Sequence, residues 1–479
     1  MSSAVQAVAF SGAFTGAALA NDVVLKSADG SIEVSGSLLE TAGENFVIRT
    51  AIGSLSVPKS RVVCDGEACP VEEAFEPNLR IGSNGKMANS LLPLAMEGFA
   101  ASTSSAFNIR AGEQGSFRGK VVSENGRGDE TVKFEIASVD AADAFAQVQN
   151  ADLDIAFVAR NAAADKFGTL GVNAEPAKHL GYEALSIIVH PDNPVSEIGM
   201  QELRNVLRGT ITNWRELGGP DADIRLVRKA SDTQTGSMLQ DLLFVNEAAF
   251  IDAATDAETT EEEMAILVSQ DPTAIGLVGV SEMRGTKPLG VTYQCGVTSY
   301  PSAFSAKSGD YPLTRPVYAL FGDAAENEHR EAFMEYASTD EFEYFVQKSG
   351  LVGTSILRAS NALELMNIDR RIDLAKDSYE LDALELFKTE LEGHVRLSTT
   401  FRFWAGTSNL DENGQSDMKE LVEYLSNLPE GTTVTLVGFS DSIGASESNR
   451  FLSLKRAEHV EGILRQIMPD ASTQVSFHS

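Results

Sequence analysis

From Leu79 onward the chain repeats one pattern: short apolar runs of strand length, separated by longer stretches with helical spacing. Leu79-Arg80-Ile81-Gly82-Ser83 runs into a Gly/Ser/Asn turn, and Leu91, Leu92, Leu94, Ala95 and Phe99 then recur at helical intervals. Further strand segments follow at Val132–Ile136, Leu153–Val158 and Leu185–Val189. Strands alternating with helices predict an α/β region with mostly parallel sheets, whose ligands lie beyond the strand C-termini. Free N–H groups at helix N-termini there are natural anion sites.

The residues flanking this region are of a different kind. Residues 22–75 alternate apolar and polar positions through Val23-Val24-Leu25, Ile32-Glu33-Val34, Phe46-Val47-Ile48 and Leu55-Ser56-Val57, with Gly-containing turns, and read as a small β unit. Cys64 and Cys69 bracket a short turn, and a disulfide between them suits an oxidising compartment. Cys295, the third cysteine, reads as a buried thiol. Residues 1–20 are apolar and end in small residues at Ala18 and Ala20, as in an export signal peptide. Residues 358–396 place Leu363, Ile368, Ile372, Leu381, Leu384, Phe387 and Leu391 at helical spacings among charges, predicting a linker of one or two amphipathic helices.

Charge excludes some partners. With 38 basic and 69 acidic residues the chain carries −31, which disfavours nucleic acid and anionic membrane surfaces. No apolar run reaches transmembrane length. The six His are scattered without metal-ligand spacing, and no nucleophile context or phosphate-binding Gly-Lys-Ser/Thr loop occurs, so neither a metal, a cofactor nor an enzymatic activity is expected. The acidic run from Asp252 to Glu263 reads as a solvated loop and helix start.

Near the end, Thr433–Val437 alternates as a strand, Gly438-Phe439-Ser440-Asp441 follows as a turn, and Asn449, Leu452, Ser453, Arg456 and Ala457 lie on a helix. Asp441 and Arg456 are fifteen positions apart. A fixed anion beside a fixed cation suits a zwitterionic amino-acid end, with the guanidinium fork holding a carboxylate. The competing reading is a turn Asp bonded to local backbone and an ordinary surface Arg.

This stretch resembles the signature of OmpA-like peptidoglycan-binding domains. Phe401-Arg402-Phe403 resembles that family's first strand, and Leu421, Leu425 and Leu428 form the stripe of its first helix. The resemblance covers 397–479 and implies that Asp441 and Arg456, with Asn449, grip diaminopimelate of the cell-wall stem peptide. Phe439 stands where the family usually has His or Tyr.

Residues 79–355 resemble periplasmic phosphate-binding proteins of the two-lobed, type II substrate-binding class. The ordered landmarks are Ile81-Gly82-Ser83-Asn84, Asp154–Arg160, His190–Pro194, Ile211–Trp214, Arg228 with Thr233-Gln234-Thr235, Ala274–Gly279 and Tyr311–Pro316. The resemblance implies an anion-binding set of Ser83, Asn84, Arg160, Arg228, Thr233, Gln234 and Thr235, with Arg315 structural. Val158 and Ala159 replace hydroxyl donors of that family and Gln234 replaces a Gly, so the expected ligand is phosphate or a related oxyanion. Each residue has a bland alternative: Ser83, Asn84, Thr233 and Thr235 as helix caps, Arg160 as a surface ion-pair partner.

The expectation is a multi-domain, mainly α/β, non-enzymatic exported protein. It would comprise a small β unit, a two-lobed anion receptor, a helical linker and a cell-wall anchor. It would lie in the periplasm of a Gram-negative bacterium, associated with the wall or outer membrane, with an ABC permease as a further partner. The alternative keeps the anchor and makes the two-lobed module a sensor or interaction scaffold without phosphate binding.

Overall fold

The computed structural model describes residues 22–27, 33–40, 45–51, 53–58, 62–66, 68–69, 75–83, 85, 87–112, 116–123, 131–139, 141–159, 177–227, 234–244, 260–321, 327–375, 377–403, 407, 409–410, 412–429, 432–440, 446–468 and 474–478. The chain divides into two units, Met1–Glu76 and Pro77–Ser479. The proposed signal peptide, 1–20, lies outside the described residues.

The first unit is an antiparallel sheet of β1 (Asp22–Ser27), β2 (Glu33–Glu40), β3 (Asn45–Thr50), β4 (Gly53–Pro58) and β5 (Val62–Asp65), in the order β4-β3-β2-β1-β5. Alternation puts Val23, Leu25, Phe46 and Ile48 on one buried face. A Cys64–Cys69 disulfide, with Cα atoms 5.7 Å apart, pins the turn after β5.

The second unit opens with β6 (Leu79–Ser83), α1 (Leu92–Ser102), β7 (Ser105–Ala111), β8 (Phe117–Ser123), β9 (Val132–Ser138), α2 (Ala141–Gln149) and β10 (Ile155–Ala159). There follow β11 (Ala177–Val189), β12 (Glu197–Gly199), α3 (Met200–Leu207), β13 (Arg225–Val227), α4 (Gln234–Leu243), α5 (Glu261–Gln270) and β14 (Ala274–Gly279). Then come β15 (Lys287–Pro288), β16 (Gly290–Thr292), β17 (Thr298–Ser299), α6 (Ala303–Lys307), β18 (Thr314–Leu320), α7 (Glu328–Tyr336) and α8 (Asp340–Lys348).

One sheet runs β13-β14-β11-β18-β10-β6-β9-β8-β7, with β15 beside β11. It is mixed, which corrects the expectation of mostly parallel strands. Only β6–β9, β6–β10 and β13–β14 pair in parallel. The rest is antiparallel because β7–β8 is a hairpin and because two strands, β11 and β18, run through the middle in opposite directions. Two cores flank that middle. One gathers Ile81, Leu92, Phe99, Phe134, Phe157 and Phe333; the other gathers Ile187, Leu203, Trp214, Leu239, Leu277 and Leu313. They define a first and a second lobe.

The strand β11 joins them. Its first half pairs with β18, from Ala177↔Leu320 to Ala184↔Thr314, and its second half pairs with β14, from Leu185↔Gly279 to Val189↔Ile275. Glu183 and Arg315 face each other across this crossing, both buried, with Arg315 Nη2 2.7 Å from the carboxylate. Arg315 is thus structural, as its sequence context suggests.

The chain then forms β19 (Arg358–Ser360), α9 (Ala362–Asp373), α10 (Ser378–Leu391) and β20 (Val395–Leu397). The expected helical linker is a helical hairpin closed at its base, because β19 pairs with β20 and Asn361 Nδ2 donates to the carbonyls of Leu391 (2.8 Å) and His394 (2.7 Å). Finally come α11 (Glu412–Ser426), β21 (Thr433–Val437), α12 (Ser446–Ile467) and β22 (Gln474–His478), with β21 parallel to β22. Leu421 and Leu425 of α11 meet Val460 and Leu464 of α12 in a small core. The strand expected at Phe401–Phe403 is a single bridge, Phe403↔Leu410.

Candidate functional site

The parallel trio β6, β9 and β10 brings three strand C-termini to one edge of the first lobe, with Ser83 in register with Ser138 and with Phe157. Asn84 follows β6 and Arg160 follows β10 in the sequence, and both lie outside the described residues. Ser83 itself stands at that edge. Its side chain is buried at 1% exposure and its Oγ donates to the Phe157 carbonyl at 2.9 Å, so its proton tethers β6 to β10. Ser138 was missed. It is exposed at the end of β9, three positions ahead of the start of α2.

In the second lobe, β13 ends at Val227 and α4 begins at Gln234. Arg228 and Thr233 fall between them, outside the described residues; Gln234 and Thr235 form the first turn of α4, and their side chains are not described. Candidates from both lobes therefore follow strand C-termini or open a helix, where unpaired N–H groups favour anions.

At the other end, Arg456 sits on α12 behind the turn that leaves β21. Its Nη1 donates to the Phe439 carbonyl (2.9 Å) and its Nε to the Thr407 carbonyl (3.2 Å), while the guanidinium lies 5.2 Å from the centre of the Phe403 ring. Nη2 has no partner among the described residues. Gly438 permits the approach of the turn to the helix, since a Cβ there would lie 1.9 Å from the Ser453 carbonyl oxygen. Asn449 is half-buried on the same helix, and Asp441 lies outside the described residues. Phe439 is 62% exposed and packs edge-on against Phe387 of α10 at 5.7 Å. A cavity of about 1020 Å³ opens beside them, lined by Phe401, Thr435, Phe439 and Arg456 among others.

Family models match both regions: residues 116–341 match a PBP superfamily domain, and residues 402–477 match the OmpA family. The chain joins a PBP-superfamily domain to an OmpA-family domain. Both are binding-domain families, not enzyme families. Among curated proteins, the PBP domain is similar to the phosphate-binding protein PstS of Borreliella burgdorferi, at 25% identity over 182 residues (36% of this chain). It is also similar to PstS of Bacillus subtilis, at 28% identity over 169 residues (34% of this chain). The chain spans 63% and 51% of the length of those two relatives. A solved ABC-type phosphate transport receptor from Vibrio cholerae matches with a TM-score of 0.44 at 18% identity, over 57% of this chain and 99% of that one.

The OmpA domain and the hairpin attach to the second lobe of the PBP domain. Lys307 of α6, its side chain 2% exposed, pairs with Glu420 of α11 at 2.7 Å, and Arg396 bridges Asp310 and Glu364 at 2.8 Å each. Burial pushes the Glu420 carboxyl up despite Lys307, with the nearby Glu343 and Glu423 carboxylates adding to the rise. Against the first lobe the same helix α11 leaves a cavity of about 300 Å³, lined by Lys178, His179, Glu343, Glu420 and Tyr424 among others. Cys295 is exposed, which corrects its reading as a buried thiol: it stands in the tight loop between β16 and β17, where Gly296 takes φ 82° and Gly296 N–H donates to the Tyr293 carbonyl. Among the described residues, no group of three or more His, Cys, Asp or Glu is placed to hold a metal ion, and no helix is long and apolar enough to cross a membrane.

Proposed function

We propose that the protein is an exported receptor that captures phosphate or a related oxyanion between its two lobes while its OmpA domain holds peptidoglycan. The observation that carries the reading is the pairing of the two matched domains in one chain: a ligand-binding domain joined to a domain of the cell envelope. Among the described residues of the main sheet, β11 and β18 join the lobes, which suits closure about that crossing. Arg160 and Arg228, with Asn84, Thr233, Gln234, Thr235 and the added Ser138, are the proposed anion contacts. Asp441, Asn449 and Arg456 are the proposed diaminopimelate contacts, in a periplasmic setting at the wall or outer membrane. An ABC permease is the proposed acceptor of the captured anion.

The test has two arms. Thermal shift of the full chain against phosphate, sulfate and small carboxylates should show stabilisation by at least one, abolished in Arg160→Ala/Arg228→Ala. Stabilisation by none would favour the sensor or scaffold reading, which the apolar Val158 and Ala159 at the end of β10 support. For the anchor, sedimentation with diaminopimelate-type sacculi should retain the native protein and lose Asp441→Ala by several-fold or more, about 1–3 kcal/mol for a charge-assisted contact. Arg456→Lys is the cleaner partner variant, because Arg456→Ala also removes the bonds to Thr407 and Phe439. Full retention of Asp441→Ala would remove that residue from the site.

A further inference from the structure

The α9–α10 hairpin touches both the second lobe and the OmpA domain. On α9, Asn367 is buried at 8% exposure and pairs with the backbone of Thr298 in β17: its Oδ1 accepts from the Thr298 N–H and its Nδ2 donates to the Thr298 carbonyl, both at 3.1 Å. One turn later Arg370 grips Glu197 of β12, with Nη2 to Oε1 at 2.7 Å and Nη1 to Oε2 at 3.3 Å, and Nη1 also donates to Thr298 Oγ1 at 2.5 Å. Thr298 Oγ1 (3.0 Å) and the Tyr300 hydroxyl (3.2 Å) donate to the same carboxylate. Burial alone would raise the Glu197 carboxyl, but these donors hold it below its ordinary value of 4.5. The hairpin is thereby fixed to the second lobe at a side-chain-to-backbone pair and a forked ion pair.

The two helices are fixed to each other. Arg371 on α9 bonds Glu380 on α10 at 2.7 Å while its other nitrogen reaches the Cys295 carbonyl at 3.3 Å, and Lys388 on α10 pairs with Asp369 on α9. At the far side α10 meets the OmpA domain. Phe387 packs on Phe439, whose carbonyl holds Arg456, and Tyr379 accepts a bond from Arg450 of α12 at 3.4 Å. Side-chain contacts at Glu197–Arg370, Arg371–Glu380 and Phe387–Phe439, joined through the backbones of α9 and α10, therefore lead from the second lobe to the turn that precedes Asp441.

We propose that this hairpin couples the second lobe of the PBP domain to the wall-ligand turn of the OmpA domain, with Asn367 and Arg370 as the catch that keeps it docked. The inference rests on the wall-binding reading only for the identity of the ligand at that turn. Docked, α10 presents Phe387 and fixes the turn; released from Thr298 and Glu197, the hairpin leaves Phe439 and the Arg456 carbonyl partner unsupported. Meanwhile Lys307–Glu420 holds the OmpA domain in place and Arg396–Asp310 holds the base of the hairpin. Linkage is reciprocal, so ligand at the turn also favours the docked hairpin.

The experiment is amide hydrogen exchange on the full chain without ligand, comparing the native protein with Asn367→Ala/Arg370→Ala and, separately, Glu197→Gln. Coupling predicts several-fold faster exchange at residues 436–440 as well as 362–373 in both, although neither variant touches the OmpA domain. Faster exchange at 362–373 with unchanged exchange at 436–440 would overturn the proposal. Because Glu197→Gln keeps the shape of the site, it decides the matter should the double variant fold poorly. Sedimentation with sacculi runs in parallel: a native protein that does not bind them sinks the wall reading, while the exchange data still decide the coupling.

Discussion

Single side chains at the domain junction set how it responds to acid. His179, on β11, sits edge-on to Tyr182 at 4.7 Å, and its Nε2 lies 3.1 Å from the Gly181 carbonyl. Burial pushes the imidazole down to about 4, against a small upward pull from the Gly181 bond; Lys307 pushes it further down and Glu343 pulls it up. The neutral ring, donating from Nε2, is the form that fits. An imidazole with a folded pKa below its unfolded 6.5 contributes its full stability above 6.5 and loses it as pH falls toward 4. Because the ring borders a cavity, water reduces the effect to about 1–2 kcal/mol rather than the full amount the shift implies. Urea unfolding at pH 7 and 4.5 should show a smaller acid loss for His179→Gln than for the native chain. Equal losses would mean that the ring is protonated without penalty.

Among elements, β11 bears the heaviest constraints. Its register shifts between His179 and Gly181, and Gly181 takes φ +148° with a would-be Cβ 2.3 Å from the Val352 carbonyl oxygen. Backbone conformation and space both exclude a side chain there, so Gly181→Ala should cost about 2–4 kcal/mol, read as a lower urea midpoint. An unchanged midpoint would mean that the chain near Val352 moves aside freely. The amino-acid pattern made much of this element visible: Leu185–Val189 reads as a buried strand and is one. Its first half did not read so, because Lys178, His179, Tyr182 and Glu183 mix polar groups into a strand whose partners, β18 and Val352, lie more than a hundred residues away. The mixed character of the sheet was hidden for the same reason, since strand direction is set by distant pairing. The 358–396 helices were legible from Leu and Ile spacing. Their seat on β17 was not, because Asn367 and Arg370 look like any polar residues on a solvated helix face. The helix that carries Arg456 was legible from its pattern, but the bonds of Arg456 to Thr407 and Phe439 depend on the path of two turns.

As a whole molecule, the chain carries separate cores in its two units, so unfolding should register as more than one transition. Reducing the Cys64–Cys69 bridge opens a loop of six residues, worth about 2 kcal/mol by chain entropy. Differential scanning calorimetry with and without reductant should lower the transition of the β unit and leave that of residues 77–479 in place; a shift of both would show the units to be thermodynamically linked. The same cysteine inventory has a practical side. Of three cysteines two are locked together, so the exposed Cys295 thiol is the single place where a maleimide dye attaches to the oxidised protein. It stands on the loop whose carbonyl Arg371 grasps. A fluorophore installed there, with no engineered cysteine at all, would sense the α9–α10 hairpin lifting away as a change in brightness or tumbling, turning an unremarkable loop residue into a built-in gauge.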